Sequence, residues 1–84
     1  MLQLLQDIAP GTTCTIVEIS GDGSAALRAR ELGLLPGTVI RVIRKAPFGG
    51  PIEVATPVAR IGIRPTDALV IRVSAVDHAK RSAA

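Results

Sequence analysis

The chain has 84 residues, of which 48% are hydrophobic and a single one, Phe48, is aromatic, and its formal net charge is +3. This length allows one small domain with an aliphatic core. Although the mean hydropathy is +0.41, no window of about 20 apolar residues could span a membrane, and the first residues lack the basic start of a secretion signal. We therefore expect a cytoplasmic protein with no membrane span.

The first predicted elements are a strand and a helix. Residues 13–20 are rich in β-branched side chains and precede a Gly-Asp-Gly turn, which is typical of a strand. Good helix formers follow over residues 24–30, with Ser24 placed to cap the first turn. Gly33 can take the left-handed conformation that ends a helix, and Pro36-Gly37 predicts a turn into the next strand.

Four more strands are predicted from alternating apolar and polar residues. They cover residues 38–46, 52–56, 59–64 and 69–76. The segment from Pro47 to Pro51 predicts a hairpin loop whose two glycines adopt positive φ, and residues 65–68 predict one helical turn. The expected fold is mainly β, a small five-stranded barrel with a short helix inserted between strands one and two. Residues 1–76 form this domain, and residues 77–84 are expected to be a disordered tail.

The sequence offers no catalytic or metal-binding constellation. His78 is the single histidine and lies in the expected tail, so no base is placed beside a nucleophile. Cys14 has no partner for a disulfide or a CxxC motif and is expected to be buried. Five of the seven acidic residues are candidate metal ligands by residue type, and each is isolated along the chain: Glu18, Asp22, Glu31, Glu53 and Asp67. We therefore predict no enzyme activity, no metal site and no cofactor.

The charge pattern argues against nucleic acid as the partner. Residues 1–76 carry eight basic and six acidic groups, and the basic ones are spread through the chain instead of clustering. With one aromatic residue, the chain also lacks the stacking side chains that bind single strands. We expect ordinary solvated strand faces and no nucleic-acid binding.

Apolar residues at two places in the chain, a hairpin tip and the turn after the helix, are unusual for a soluble surface. Phe48 sits at a predicted hairpin tip, where its ring either packs back on the barrel or meets a partner. Leu34 and Leu35 lie in the turn after the helix, and at least one of them should face outward.

Glu31 is a third unusual position, because a carboxylate in the last turn of a helix opposes the helix dipole by roughly 0.3–1 kcal/mol. An internal pair with Arg41 or Arg64, or a partner contact, would explain it. The candidate partner-binding residues are Arg28, Glu31, Leu34, Leu35, Pro36, Phe48 and Gly49.

The order and spacing of several short motifs resemble the FeoA family. These motifs are Leu5 and Gly11 before the first strand, then residues 30–37, 46–54, 61–64 and 68–73. The resemblance covers residues 2–76. It implies an SH3-like barrel that acts without catalysis beside FeoB, a membrane permease with a GTPase domain. The module would bind the cytosolic part of that permease and modulate its assembly or GTPase cycle.

Other functions remain open alternatives. The barrel also resembles the C-terminal domain of iron- and manganese-responsive repressors, so a regulator module or a weak nucleic-acid-binding protein is the rival hypothesis. A receptor for proline-rich peptides would need an aromatic-lined groove, which one Phe cannot provide. The oligomeric state is not determined by the sequence, so self-association is also an open alternative.

Overall fold

The computed structural model describes residues 2–21, 23–64 and 69–75. The described elements are β1 (Gln3–Leu4), a 3-10 helix (Leu5–Asp7), β2 (Thr13–Gly21), α1 (Gly23–Glu31), β3 (Val39–Lys45), β4 (Ile52–Ala55), β5 (Arg60–Ile63) and β6 (Leu69–Ala75). The mainly β fold with one inserted α-helix is confirmed. The helical turn predicted over residues 65–68 and the tail predicted over residues 77–84 lie outside the described residues.

The strands form one antiparallel sheet in the order β1-β6-β2-β3-β4-β5. The sheet has six strands where five were expected, because the two residues of β1 pair with β6, Gln3 opposite Val73 and Leu4 opposite Arg72. Two residues are too few to show an alternating pattern in the sequence. β2 lies at the centre between β3 and β6, and β1 and β5 are the two ends of the order.

The core forms as the alternation predicts. In β3, Ile40 and Val42 are buried while Arg41 between them is exposed, and β6 repeats this arrangement around Arg72. The buried hydrophobic residues are Leu5, Ile8, Cys14, Ile16, Ile19, Ala26, Ala29, Leu34, Ile40, Val42, Ile52, Val54, Ile61, Ile63, Ile71 and Val73. The predicted burial of Cys14 is confirmed, and burial raises the pKa of its thiol because the charged thiolate would lose its hydration.

Helix α1 begins and ends through local backbone chemistry. It begins at Gly23, so Ser24 lies inside the first turn and not at the capping position that the sequence suggested. Its C-terminal end is a Schellman motif: Gly33 has a φ of 95°, its N–H donates to the Arg30 carbonyl (3.0 Å), and the Leu34 N–H donates to the Ala29 carbonyl (3.0 Å). The predicted helix end at Gly33 is confirmed.

Helix α1 is also tied to the sheet by a side chain. The Arg30 guanidinium donates to the Ile19 carbonyl of β2 at 3.3 Å.

Across the described ranges, no helix has the length and apolar character that crossing a bilayer requires.

Candidate partner-binding surface

The β3–β4 hairpin carries Phe48 at its tip. The Ala46 N–H donates to the Pro51 carbonyl (3.0 Å), and the Gly50 N–H donates to the Pro47 carbonyl (3.2 Å), which closes a four-residue turn. The two central residues, Phe48 and Gly49, have φ of 60° and 73°. Positive φ at both central positions is the signature of a type I′ turn, whose twist matches that of the flanking strands.

Of the two glycines predicted to adopt positive φ, Gly49 does and Gly50 does not, and Phe48 takes the second positive φ instead. Gly50 is needed for space instead, because a Cβ added there would lie 2.7 Å from the Ala46 Cβ. A bulky residue in the left-handed region is uncommon and costs conformational energy. The hairpin therefore places an aromatic side chain at a position where glycine or asparagine would be easier to accommodate.

The Phe48 ring is fully exposed, with a relative accessibility of 103%. The alternative in which the ring packs back on its own barrel is therefore wrong. A type I′ turn points its first central side chain away from the sheet, and β3 and β4 end before they can cover it. Contact with a partner stays a prediction for Phe48 and for its neighbour Gly49.

The turn between α1 and β3 separates two adjacent leucines. Leu34 is 0% exposed and Leu35 is 46% exposed, so the prediction that at least one faces outward is confirmed. Leu34 itself is wrong as a partner-binding candidate. It is the residue after Gly33 in the Schellman motif, a position that packs back on the last helical turn, and it belongs to the core together with Ala29. Leu35 and the exposed Pro36 remain candidates.

Glu31 ends α1 and is exposed. Its predicted internal pair with Arg41 or Arg64 is wrong, because within residues 2–21, 23–64 and 69–75 no cation lies within salt-bridge distance of the carboxylate. A partner contact stays a prediction for Glu31.

The candidate residues do not form one patch. Phe48 follows the last residue of β3, whereas Leu35 and Pro36 precede its first residue. The strand runs from Val39 to Lys45, six steps of about 3.3 Å, so about 20 Å separates the two ends. The hairpin and the turn are therefore two distinct surfaces at opposite ends of β3.

The outer face of β3, β4 and β5 is rich in arginine. Glu53 on the middle strand lies 2.7 Å from Arg44 and 3.7 Å from Arg60, one pair on each neighbouring strand. Arg41 is exposed on the same face, two positions before the β-bulge that precedes Arg44. A groove of about 570 Å³ runs over this face, and its lining includes Pro47 and Pro51 at the base of the Phe48 hairpin.

A smaller pocket of about 140 Å³ lies between α1 and β5. Its lining is mostly apolar, with Arg28 from the helix and Arg64 after the strand as its two charged residues. The candidate Arg28 is exposed here, beside Ala29 and Leu32. The sequence predicted β5 as a strand but not its position at the end of the sheet, so it did not indicate this pocket.

The described residues contain no group of three or more His, Cys, Asp and Glu side chains that could hold a metal ion. Glu18 pairs with Arg72 at 3.3 Å, and Glu53 is engaged by two arginines. The site therefore offers apolar and cationic groups for contact with another molecule. The predicted lack of enzyme activity, metal and cofactor stays a prediction.

The chain is similar to a known protein family and to several solved structures. The model of the FeoA domain matches residues 3–75. The crystal structure of an iron uptake regulatory protein, FeoA, is 28% identical, with a TM-score of 0.75 over 90% of this chain and 99% of that one. FeoA from Stenotrophomonas maltophilia, solved with zinc, is 27% identical, with a TM-score of 0.68 over 92% of both chains. That protein is described as an SH3 domain protein and has been suggested as a ferrous iron transport activating factor.

A manganese-dependent transcriptional repressor is also similar, with 25% identity and a TM-score of 0.78. The match covers 89% of this chain but 42% of the repressor. The fold is thus SH3-like, as the resemblance implied. Because the family model spans nearly all the described residues, the chain belongs to the FeoA domain family, which is linked to iron transport.

Proposed function

We propose that this protein is a non-catalytic accessory of bacterial ferrous iron uptake that acts in the cytoplasm. It binds the cytosolic part of a FeoB-like permease and modulates the assembly or the GTPase cycle of that permease. Membership of the FeoA family supports the role in iron transport. The description of the Stenotrophomonas maltophilia protein as a candidate activating factor supports a regulatory rather than a transporting role.

The observation that carries this proposal is the exposed ring of Phe48. An isolated aromatic side chain in water contributes nothing to the core, and its positive φ costs energy as well. Aromatic residues are the side chains that most often anchor protein interfaces, because they bury a large area with few rotatable bonds. Phe48 is therefore the anchor that we assign to the permease contact.

The proposal is tested by measuring binding of the purified chain to the cytosolic region of the permease, by calorimetry, together with the GTP hydrolysis rate of that region. Phe48→Ala should weaken binding by at least tenfold, the effect of an interface hot spot of about 1.4 kcal/mol or more. Val58→Ala is the matched control, since Val58 is 88% exposed at the tip of the neighbouring β4–β5 hairpin. Equal affinities for the native chain and both variants would refute the role of Phe48.

The second candidate function is a module of a metal-responsive transcriptional regulator, which the similarity to the manganese-dependent repressor favours. The nine residues of α1 are the one α-helix in the part of the chain that the structure describes, so a DNA-reading helix pair would have to come from elsewhere. A gel-shift assay with operator DNA at physiological salt separates the two proposals. Salt-sensitive DNA binding without permease binding would favour the regulator.

A further inference from the structure

The outer edge of β5, residues Arg60–Ile63, is one of the two ends of the described sheet; we call it the β5 edge. Within the described residues β5 pairs with β4 on one side and with no strand on the other. The Thr56 N–H donates to the Ala59 carbonyl at 2.7 Å, which makes this pair the first hydrogen-bonded pair of the β4–β5 hairpin. Antiparallel ladders alternate hydrogen-bonded and non-hydrogen-bonded pairs.

The alternation fixes which backbone groups face outward. Arg60 lies opposite Ala55, and Gly62 lies opposite Glu53, so both fall on non-hydrogen-bonded positions of the ladder. Their N–H and C=O groups therefore point away from β4, outward from the unpaired side of β5. The backbone hydrogen bonds found outside the ladders of the described ranges do not involve either residue. An unpaired edge of this kind accepts another extended chain.

The two grooves described above flank the β5 edge, one on each face of the strand. The groove of about 570 Å³ carries Arg60 and Gly62. The pocket of about 140 Å³ has room for one aliphatic side chain and is too small for a drug-sized ligand. Successive side chains of an added strand would point alternately into these two environments.

We propose that the β5 edge binds an extended acidic segment of the protein partner by strand addition. The inference deepens the proposed function and rests on it for the identity of the partner. Main-chain hydrogen bonds to Arg60 and Gly62 would pair the segment with β5. The arginines beside the edge would give specificity for acidic side chains. Arg64 and Arg28 have no acidic partner among the described residues.

Charge also argues against a second copy of this chain as the occupant. Antiparallel pairing of two β5 edges centred on Gly62 would put Arg60 of one chain opposite Arg64 of the other. Like charges directly opposite each other destabilise a strand pair. An acidic segment in the same register gains two favourable cross-strand pairs instead, at Arg60 and at Arg64.

The register specifies the pattern of the segment. Arg60 lines the groove and Arg64 lines the pocket, so the segment residues opposite each of them should be acidic. The segment residues opposite Ile61 and Ile63 face the apolar side of the pocket. The position opposite Gly62 is unrestricted, which yields the pattern acidic, apolar, any, apolar, acidic. A Cβ built on Gly62 lies 3.8 Å from the Pro51 Cβ at the base of the hairpin. Gly62 of the β5 edge therefore lies beside the base of the hairpin that carries Phe48.

Two pairs of variants test the strand addition against the same cytosolic region of the permease. Gly62→Pro removes the outward N–H and should weaken binding roughly tenfold, while Gly62→Ala keeps it and should bind like the native chain. Arg64→Glu should weaken binding and Arg64→Lys should not, and the difference should shrink with added salt. Urea unfolding midpoints check that each variant is folded, and the Arg64 pair keeps the test decisive if Gly62→Pro is unstable.

A peptide titration followed by amide NMR tests the β5 edge independently of the permease. The blocked peptide Glu-Val-Ser-Val-Glu should shift the Arg60 and Gly62 amide signals, and Lys-Val-Ser-Val-Lys should not. Peptide binding without permease binding would overturn the proposed function and support the β5 edge. Permease binding that all four variants leave unchanged would overturn the β5 edge and leave the proposed function standing. Binding of DNA at this edge, or dimerisation abolished by Gly62→Pro, would also overturn it.

Discussion

Replacing Phe48 by glycine should raise the free energy of unfolding. A left-handed backbone costs a residue with a Cβ roughly 1–2 kcal/mol, and Phe48 has a φ of 60°. The ring is fully exposed, so its removal sacrifices no buried surface. Glycine also lowers the free energy of unfolding by about 0.4–1 kcal/mol, because it gives the unfolded chain more conformational freedom. The expected net gain is roughly 0.5–1 kcal/mol, or about 2–8 °C in melting temperature for a domain of this size.

Urea unfolding followed by circular dichroism measures this gain, with an unchanged m-value as the sign that the unfolded state is comparable. Phe48→Ala is the matched control, because it removes the ring but keeps the strained Cβ, and its stability should stay within about 0.5 kcal/mol of the native chain. If Phe48→Gly unfolded at the same urea concentration as Phe48→Ala, or a lower one, the reasoning about strain would be refuted. A stabilised variant with weakened permease binding would show that the native chain keeps the ring at the contact at a cost in stability.

Three further predictions concern the core and the turns. Leu34→Ala should lower the free energy of unfolding by about 2–5 kcal/mol in urea titrations, because it empties a fully buried site. Leu35→Ala should lower it by less than about 1 kcal/mol. Equal losses would contradict the placement of the two leucines. Gly50→Ala should destabilise by roughly 1–3 kcal/mol through its 2.7 Å approach to another Cβ, whereas Gly62→Ala, whose Cβ meets only a 3.8 Å contact, should melt like the native chain. The unfolded chain deprotonates Cys14 above about pH 9 while the folded chain keeps the proton, so stability should fall as the pH rises further, by up to about 1.4 kcal/mol per pH unit. Cys14→Ala should lack this fall, and an identical pH profile for both proteins would exclude the thiol as its cause.

The sequence predicts the fold better than the site. Alternation over the long strands and the glycine after the helix are local signals, and each places its element correctly. β1 was missed because its two residues carry no period of their own. Its pairing with β6 depends on the completed sheet.

The candidate site depends on backbone conformation and on the order of the strands, which residue types alone do not specify. Whether Leu34 or Leu35 is buried is decided by the Schellman motif, and whether Phe48 packs back is decided by the hand of its turn. The accessibility of Gly62 depends on the order of the strands, which places β5 at the end of the sheet. The residue types of the candidate surfaces were visible in the sequence, but their grouping into separate patches was not.

The pairing of β2 with β6 has a consequence for how the chain folds. Glu18 and Arg72 meet across this ladder although 54 positions separate them in sequence. Contacts at such separation slow folding, because the entropy of closing the loop is lost before the pairing is gained. During synthesis, the edge of β2 that pairs with β6 therefore stays unpaired until residues 69–75 have left the ribosome. We expect premature termination before residue 69 to leave a chain that aggregates, while loss of residues beyond 75 should spare this final step.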